Sequence, residues 1–347
     1  MEEEKTKYKD KGLTGLANLG NTCFMNSALQ CLAHTSLLNL FLDNKNYRQK
    51  LQKKPESLIL LEWDNLREMM WSENCIISPG GFLAALQKVA RIKDKAIFTG
   101  FAQNDLPEFL GFIIDCFHTA MAREVMMNIK GDAQNKTDKL ASKCFTMMKL
   151  MYKKEYSEIL TMFFGISISQ ITSLEDKLYG TTPEPFFMLD VPIPKDSSNP
   201  TLVECIELYA EKEKLEDDEK YFNEATKEFE EVYKKMSFFS LPEILIINLK
   251  RFSNNMKKNN IYVDFPLEDF DVSKYVQGYN RKSYIYNLYA ICQHSGNVLG
   301  GHYTACVKNS NDKWYLFNDT AVSNIQEKQL KDQKAYCFFY RKKKPTK

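Results

Sequence analysis

Residues that could perform thiol chemistry lie in two separate stretches of the sequence. In the first, Cys23 follows Asn21 and Thr22, which are helix-capping types, and apolar residues recur after it at helical spacing. The pattern predicts a helix with Cys23 in its first turn, where unpaired N–H groups and the helix dipole favour a thiolate. A thiolate there is a competent nucleophile, although most free cysteines are simply buried apolar residues.

The second stretch offers a histidine and an amide at one end of a predicted β-hairpin. From His302 the sequence alternates between two faces, a polar turn follows, and a short apolar run ends at Asn318. In such a hairpin one imidazole nitrogen can contact the amide while the other faces Cys23, as a thiol protease requires. A core or solvated histidine is the alternative, but the preceding Gly300 and Gly301 favour close approach of another backbone.

Together the two stretches resemble the Cys box and the His box of the ubiquitin-specific proteases, the papain-like cysteine deubiquitinases. The resemblance covers nearly the whole chain, from about Gly12 to about Arg341. Further matches lie between the boxes in the order that the family shows. They are residues 103–110, 184–194, 241–252 and 335–341.

The resemblance implies an α+β fold with a papain-like thumb, palm and fingers. The thumb would be helical, and the palm and fingers would be antiparallel sheets. Residues 1–11 are rich in charge and are expected to be disordered, which leaves residues 12–345 as a single catalytic domain. The expected boundaries are about 12–156 for the thumb, 157–185 and 213–240 for the fingers, and 186–212 and 241–345 for the palm.

The resemblance also assigns catalytic roles. Cys23 would attack the carbonyl carbon of the terminal glycine of ubiquitin. His302 would accept the thiol proton and then protonate the leaving lysine amine. Asn318 would orient the imidazole, with the adjacent Asp319 as a second candidate for assisting it. Asn18 matches the oxyanion residue of the family, and an amide of this kind typically contributes on the order of 3–4 kcal/mol to the transition state.

Substrate contacts follow from the same resemblance. Asp105 and Glu108 would bind the arginines of the ubiquitin tail, although without the resemblance they would pass as ordinary charges near a helix N-terminus. His294 would lie in a loop over the tail, and the paired glycines would leave a channel for its Gly-Gly end. The expected substrate-binding residues are Asp105, Glu108, His294, Gly300, Gly301 and Tyr303.

The fingers depart from the family pattern. Many members hold the fingertips with a zinc ion bound by two Cys-x-x-Cys pairs, and this sequence contains no such pair. No zinc or other cofactor is therefore expected, and a helical or β fingertip would replace the metal. Phe222 and Phe229 recur at helical spacing within this segment. The family's zinc ligands correspond here to Ser173, Asp176, Asn223 and Thr226.

Composition narrows the partners and the compartment. A net charge of +2 gives no electrostatic reason to expect nucleic acid, and the sequence has neither a membrane-length apolar run nor a signal peptide. Nine irregularly spaced cysteines indicate free thiols in a reducing compartment, the cytoplasm or the nucleus. The expected partners are ubiquitin and ubiquitinated proteins, bound by a monomer.

Three other functions remain open at this stage. One is a catalytically weak or dead ubiquitin-binding scaffold, which would not need Cys23, His302, Asn318 and Asn18 together. Another is a protease for a different ubiquitin-like modifier. The acidic pair Asp105 and Glu108 suits the basic tail of ubiquitin, but this is only weak evidence against the alternative. The third is a generic papain-like endopeptidase, whose secreted, disulfide-bearing context the cysteine pattern does not support.

Overall fold

The structure is a computed structural model that describes residues 8–252, 257–297 and 300–344. Within these ranges, no helix has both the length and the apolar character needed to cross a lipid bilayer. The α-helices are α1 (Cys23–Ala33), α2 (Ser36–Asp43), α3 (Glu56–Ser72), α4 (Gly80–Ile92), α5 (Leu106–Met121), α6 (Lys136–Lys154), α7 (Glu158–Phe163) and α8 (Leu202–Tyr209).

The strands begin near the start of the described chain and dominate its second half. They are β1 (Gly15–Leu16), β2 (Ile76–Ile77), β3 (Gly165–Thr172), β4 (Leu178–Phe186), β5 (Met188–Val191), β6 (Lys212–Leu215), β7 (Tyr221–Asn223), β8 (Glu228–Glu230), β9 (Val232–Ser240), β10 (Ile244–Leu249), β11 (Phe270–Asp271), β12 (Ile285–Asn297), β13 (Gly300–Lys308), β14 (Trp314–Asn318), β15 (Ala321–Ile325) and β16 (Ala335–Lys342).

The palm is a sheet with strand order β15-β14-β13-β12-β16-β10-β5, and β11 pairs with β12. Its neighbours are antiparallel except β10 and β5, which pair in parallel. Strand β10 is buried on both faces, because Ile244 and Ile246 join the core under the helices while Leu245 and Ile247 join the core on the other side. The predicted α+β fold with a helical thumb is confirmed.

Helix α1 is the centre of the thumb. Every one of its residues is buried, because it packs against β13 of the palm on one side and against α5 on another. A helix that is covered all round needs apolar residues on every face, and the run from Phe24 to Ala33 largely supplies them. The position of Cys23 is therefore fixed by packing along the whole length of α1.

The fingers are a second sheet with strand order β4-β3-β9-β6, and they carry the hairpin β7–β8 at one end. The helical spacing of Phe222 and Phe229 does not reflect a helix, since these residues pair across the hairpin with ring centroids 5.2 Å apart. Of the two expected fingertips, the β form is observed. Finger strands begin only at Gly165, because residues 158–163 form α7, which packs against α5 and β10.

The expectation that residues 1–11 are disordered is wrong for residues 8–11. Residues 1–7 lie outside the described residues. Tyr8 is 6% exposed, its ring lies 4.6 Å from that of Trp71, and its hydroxyl donates to Asp43. Lys11 adds a backbone contact, because its carbonyl oxygen accepts a hydrogen bond from Asn309 at 2.8 Å. One aromatic residue therefore anchors the end of a segment whose charge content predicts disorder.

A buried histidine at the C-terminal end of α1 makes stability depend on pH. His34 packs against Trp71 and Phe317, its Nδ1 contacts the Gln30 carbonyl at 2.9 Å, and burial lowers its pKa from 6.5 to about 4. The unfolded chain therefore binds a proton between pH 6.5 and 4 that the folded chain does not. Stability from this group is present above pH 6.5 and is lost on acidification.

We expect His34 alone to lower the free energy of unfolding by about 2 kcal/mol between pH 7.5 and pH 5. Urea unfolding at both pH values would measure this loss. His34→Gln, which keeps a donor for the Gln30 carbonyl, should remove that share of the pH dependence. Burial also lowers the pKa of His294 to about 4. The part of the pH dependence that comes from His294 should therefore remain in the variant. An identical pH dependence in the variant would contradict the prediction.

Candidate active site

The loop before α1 is braced by its own side chains. The Asn18 Oδ1 atom accepts hydrogen bonds from the backbone N–H groups of Gly20 and Thr22, each at 3.1 Å. Thr22 is the residue before the helix, but its hydroxyl accepts from Leu19 N–H at 2.9 Å and does not cap the helix. Cys23 follows as the first residue of α1, as predicted, and is 2% exposed.

His302 and Asn318 lie side by side on neighbouring strands, as the hairpin pattern predicts. His302 Nε2 is 2.6 Å from Asn318 Oδ1, so Nε2 carries the proton and Nδ1 is left for another partner. No hydrogen bond joins His302 to Cys23 Sγ in the part of the chain that the structure describes. Catalytic hydrogen bonds are often long before substrate binds, so this separation is compatible with a nucleophile and its base.

The structure distinguishes Asp319 from Asn318, the two candidates for assisting His302. Its carboxylate accepts hydrogen bonds from Asn18 Nδ2 at 3.0 Å and from Asn26 Nδ2 at 2.8 Å. Within the described residues it makes no hydrogen bond to His302, and its left-handed backbone, with φ of 48°, turns it away from β14 towards the loop before α1. Asn318 is therefore the residue in contact with the imidazole, and Asp319 is in contact with the candidate oxyanion residue.

The orientation of the Asn18 amide follows from these contacts. Its oxygen is held by two backbone N–H groups, and one hydrogen of Nδ2 points to Asp319. An amide nitrogen carries two hydrogens, so the second has no partner among the described residues and remains available in the loop that leads into Cys23. A fixed donor at this position can stabilise negative charge that develops on a carbonyl oxygen.

Asn26 is a functional candidate that the sequence reasoning missed. It lies on α1 close after Cys23 and is 2% exposed. Its Nδ2 contacts the carbonyl oxygens of Leu16 and Ala17 at 3.3 Å each, besides Asp319. It therefore joins the nucleophile helix, the preceding strand and the oxyanion support. A polar amide one helical turn after Cys23, in a mostly apolar helix, was the available signal.

Asp105 lies at the N-terminus of α5 and connects it to the palm. Its carboxylate accepts hydrogen bonds from the hydroxyls of Tyr303 and Tyr336, each at 3.0 Å. Although part of Asp105 is exposed, the protein packed around its carboxylate raises its pKa, and the two tyrosine hydrogen bonds oppose that rise. Tyr303 thus contacts an acid that was expected to bind substrate, and Tyr336 is a partner the sequence reasoning missed.

Two depressions meet at Asp105. One, of about 570 Å³, runs between α5 and β5 and contains the exposed Glu108 together with Asp115 and Asp190. Lys93 also lines it, but this lysine is paired with Glu56 at 2.8 Å and with Asp115 at 3.1 Å. The other, of about 290 Å³, is lined by Gln103, whose Nε2 lies 3.9 Å from Cys23 Sγ. Its lining residues are Gln103, Asn104, Asp105, Phe252, His294, Asn297, Gly300 and Tyr303.

The expected loop position of His294 is wrong. Strand β12 continues through it to Asn297, because β13 pairs with β12 along this whole stretch, and His294 is only 3% exposed. Burial, with the nearby charge of Lys258, lowers the pKa of His294 to about 4, so the ring is neutral at pH 7. The His294 ring packs directly against Gly301, where an added Cβ atom would lie 2.2 Å from His294 Nε2.

The four fingertip positions hold polar side chains that bond locally. Glu230 accepts hydrogen bonds from Asn223 at 2.9 Å and from Thr226 at 2.6 Å, and these bonds lower its pKa. Ser173 Oγ accepts from the backbone of Lys177 at 3.2 Å, and Asp176 pairs with Lys212. Among residues 8–252, 257–297 and 300–344, no three His, Cys, Asp or Glu side chains are grouped to hold a metal ion.

Comparisons with known proteins agree with this geometry. The family model described as ubiquitin carboxyl-terminal hydrolase matches residues 14–340. Ubiquitin carboxyl-terminal hydrolase 2 of Bos taurus is 34% identical over 341 residues, which cover 95% of this chain and 55% of that protein. This chain therefore spans about half the length of the bovine relative. The protein of the same name in Gallus gallus is 34% identical, with 97% of this chain and 95% of that protein covered.

A solved structure extends the likeness to the whole fold. The SAGA DUB module containing Ubp8, bound to monoubiquitin, matches this chain with a TM-score of 0.74 and 26% sequence identity. The match covers 98% of this chain and 71% of that chain. The two chains thus share the same overall fold. On the family model and on the relatives together, the chain belongs to the ubiquitin carboxyl-terminal hydrolase family.

Proposed function

We propose that this chain is a thiol-dependent deubiquitinase, an isopeptidase that hydrolyses the bond after the C-terminal Gly-Gly of ubiquitin. One observation carries the proposal. Two adjacent residues join the distant stretches, because Asn318 contacts His302 and Asp319 contacts Asn18 in the loop that leads into Cys23. Further support comes from solved structures of the Ubp8 module, which are described as bound to monoubiquitin and to ubiquitin aldehyde.

The proposed reaction begins with the Cys23 thiol. His302 Nδ1 accepts its proton, and Sγ attacks the carbonyl carbon of the terminal glycine. Negative charge develops on the carbonyl oxygen, where Asn18 Nδ2 and the Cys23 backbone N–H donate hydrogen bonds. His302 then protonates the departing lysine amine, and a thioester remains on Cys23. Water, deprotonated by His302, hydrolyses the thioester and frees ubiquitin.

Asn318 supports these proton transfers without a charge of its own. Because it accepts from His302 Nε2 at 2.6 Å, it holds the tautomer whose Nδ1 can accept the thiol proton. A neutral amide does not offset the imidazolium charge as a carboxylate does. Its contribution is therefore orientation of the ring.

The substrate tail fits the two depressions that meet at Asp105. Glu108 and Asp190 line the wider one, and carboxylates there favour a basic segment. The narrower one, past Gly300, has room for a backbone with small side chains. We infer that a tail with arginines before a Gly-Gly end lies in this order, so that its last carbonyl reaches Cys23.

We also propose that the enzyme acts on ubiquitinated proteins as a monomer in a reducing intracellular compartment, with neither nucleic acid nor membrane as a partner. All nine cysteines are free thiols. Cys31 and Cys292 lie with their sulfur atoms 3.4 Å apart without a disulfide bond. Such a pair favours a compartment that keeps thiols reduced.

The proposed function is tested by hydrolysis of a fluorogenic amide at the C-terminus of ubiquitin. We expect turnover by the wild type, none by Cys23→Ala, and wild-type turnover by Cys75→Ala, since Cys75 is the exposed cysteine. A matched substrate built on another ubiquitin-like modifier should remain uncleaved. Binding without turnover would instead support the scaffold function, and cleavage of the other modifier alone would support a different protease.

For the fingers we propose that hydrogen bonding takes the place of a zinc site. Metal analysis should then find no stoichiometric zinc, and a chelator should leave the melting temperature unchanged. Glu230→Ala removes the acceptor shared by Asn223 and Thr226, so we expect faster hydrogen exchange in β7 and β8. Glu228→Ala, in the same hairpin, is the matched control. One tightly held zinc per chain would refute the proposal.

A further inference from the structure

Residues 101–105, called here the bridging segment, span the cleft between the loop before α1 and the palm. At one end the Phe101 carbonyl oxygen accepts from Asn21 Nδ2 at 3.1 Å. At the other end the Asp105 carboxylate accepts from Tyr303 on β13. The segment is therefore held on both sides of the cleft, and its middle residue, Gln103, faces the candidate nucleophile.

The amide of Gln103 contacts both sides at once. Its Oε1 accepts from the Gly301 backbone N–H at 2.9 Å, and its Nε2 donates to the Gly301 carbonyl oxygen. The same Nε2 lies 3.9 Å from Cys23 Sγ. A glutamine amide has one acceptor oxygen and two N–H donors. Gly301 uses the oxygen and one donor, so one donor remains for the sulfur atom.

The contacts of Gln103 with Gly301 and with Cys23 Sγ both affect the pair formed by Cys23 and His302. Gly301 directly precedes His302 on β13, so a side chain that binds both polar groups of its backbone also limits where the imidazole can lie. Cys23 and His302 themselves make no direct hydrogen bond within the described residues. The Gln103 amide is thus a physical connection between the nucleophile and the strand that carries its base.

We propose that Gln103 is a positioning residue that holds the His302 strand in register with Cys23 and directs an N–H group at the Cys23 thiolate. The proposal extends the deubiquitinase function and rests on Cys23 being its nucleophile. It requires an amide specifically, because only an uncharged side chain with both a donor and an acceptor can satisfy Gly301 and the sulfur together.

Replacing Gln103 with glutamate tests the N–H donor separately from the length of the side chain. Gln103→Glu keeps the length of the side chain and an acceptor for the Gly301 N–H group. When ionised it has no donor for the Gly301 carbonyl or for sulfur, and it adds a negative charge about 4 Å from Sγ, where like charge disfavours the thiolate. Gln103→Ala removes the contacts without adding charge.

The experiment measures alkylation of Cys23 by iodoacetamide across pH in the free protein, located by mass spectrometry, and kcat and KM with the fluorogenic ubiquitin amide. For Gln103→Glu we expect the midpoint of alkylation to rise by at least about one pH unit. For Gln103→Ala we expect a smaller rise. In both variants kcat should fall about tenfold or more, while KM changes less than about threefold.

Gln87→Ala is the matched control, because Gln87 bonds the Gly100 carbonyl beside the bridging segment and has no hydrogen bond to Cys23 or Gly301 among the described residues. It should leave the alkylation midpoint and kcat unchanged. Unchanged midpoints in both Gln103 variants would overturn the proposal, even if kcat fell together with thermal stability. Alkylation needs no ubiquitin, so the two proposals can fail separately. If the Gln103 variants shift the alkylation midpoint but the wild type does not cleave the ubiquitin amide, the proposed function is wrong and the positioning role of Gln103 is retained.

Discussion

Replacing Asp319 with alanine should lower kcat by about 100-fold while leaving KM nearly unchanged. The Asp319 carboxylate holds the Nδ2 groups of both Asn18 and Asn26, so its loss frees the amide that faces the developing oxyanion. That contact forms with substrate only as charge develops, which places the effect in kcat. Steady-state kinetics with the fluorogenic ubiquitin amide would measure it.

Two variants make this result specific. Asp319→Asn tolerates the left-handed backbone and keeps one acceptor, so it should lose less activity than Asp319→Ala. Asn318→Ala removes only the contact of an exposed amide with His302, and we expect a smaller loss than for Asp319→Ala. The assignment is wrong if Asp319→Ala leaves kcat unchanged, because Asp319 would then have no separate part in the reaction.

Gly301→Ala should lower kcat/KM by about 100-fold in a protein that still folds. The added Cβ atom would lie 2.2 Å from His294 Nε2 and 2.4 Å from the Ser295 carbonyl oxygen, distances that require β13 to move. Neither obstacle yields easily, since one is backbone and the other is a buried ring. His302 follows directly on the strand, so the displacement is transmitted to the imidazole.

Gly300→Ala is the informative comparison in the same strand. Among the described residues, its added Cβ atom would meet Gln103 Oε1 alone, at an ordinary contact distance of 3.6 Å. We therefore expect a loss of a few-fold, caused by a narrower entrance for the tail. Thermal melting of both variants separates this effect from unfolding. Equal losses in the two glycine variants at equal folded fractions would contradict the steric argument.

Much of the fold and of the candidate site was accessible from sequence because the relevant signals are local. Capping residues and helical spacing predict α1 and place Cys23 at its start, and strand alternation predicts the contact of His302 with Asn318. Each inference needs only a few consecutive residues and a known geometric period. The resemblance to a family then supplied the pairing of these two distant stretches.

Other features depend on contacts between residues far apart in sequence, which no local pattern encodes. Asp319 meets Asn18 across 301 positions of the chain, and Gln103 meets Gly301 across 198. The polar types of Asp319, Asn18 and Gln103 were visible, but their partners were not. The fingertip shows a related limit, because the spacing of Phe222 and Phe229 suits a helix and equally suits two facing strands of a hairpin.

The order of strands in the palm has a consequence for biosynthesis. Strand β16, the latest in sequence among the described strands, lies inside the sheet between β12 and β10. A nascent chain still lacking β16 therefore exposes two unpaired strand edges, and most of the palm cannot close by itself. The helix bearing the thiol emerges from the ribosome long before the strand bearing its base is secured. The nucleophile should remain inert until translation of this region is almost finished.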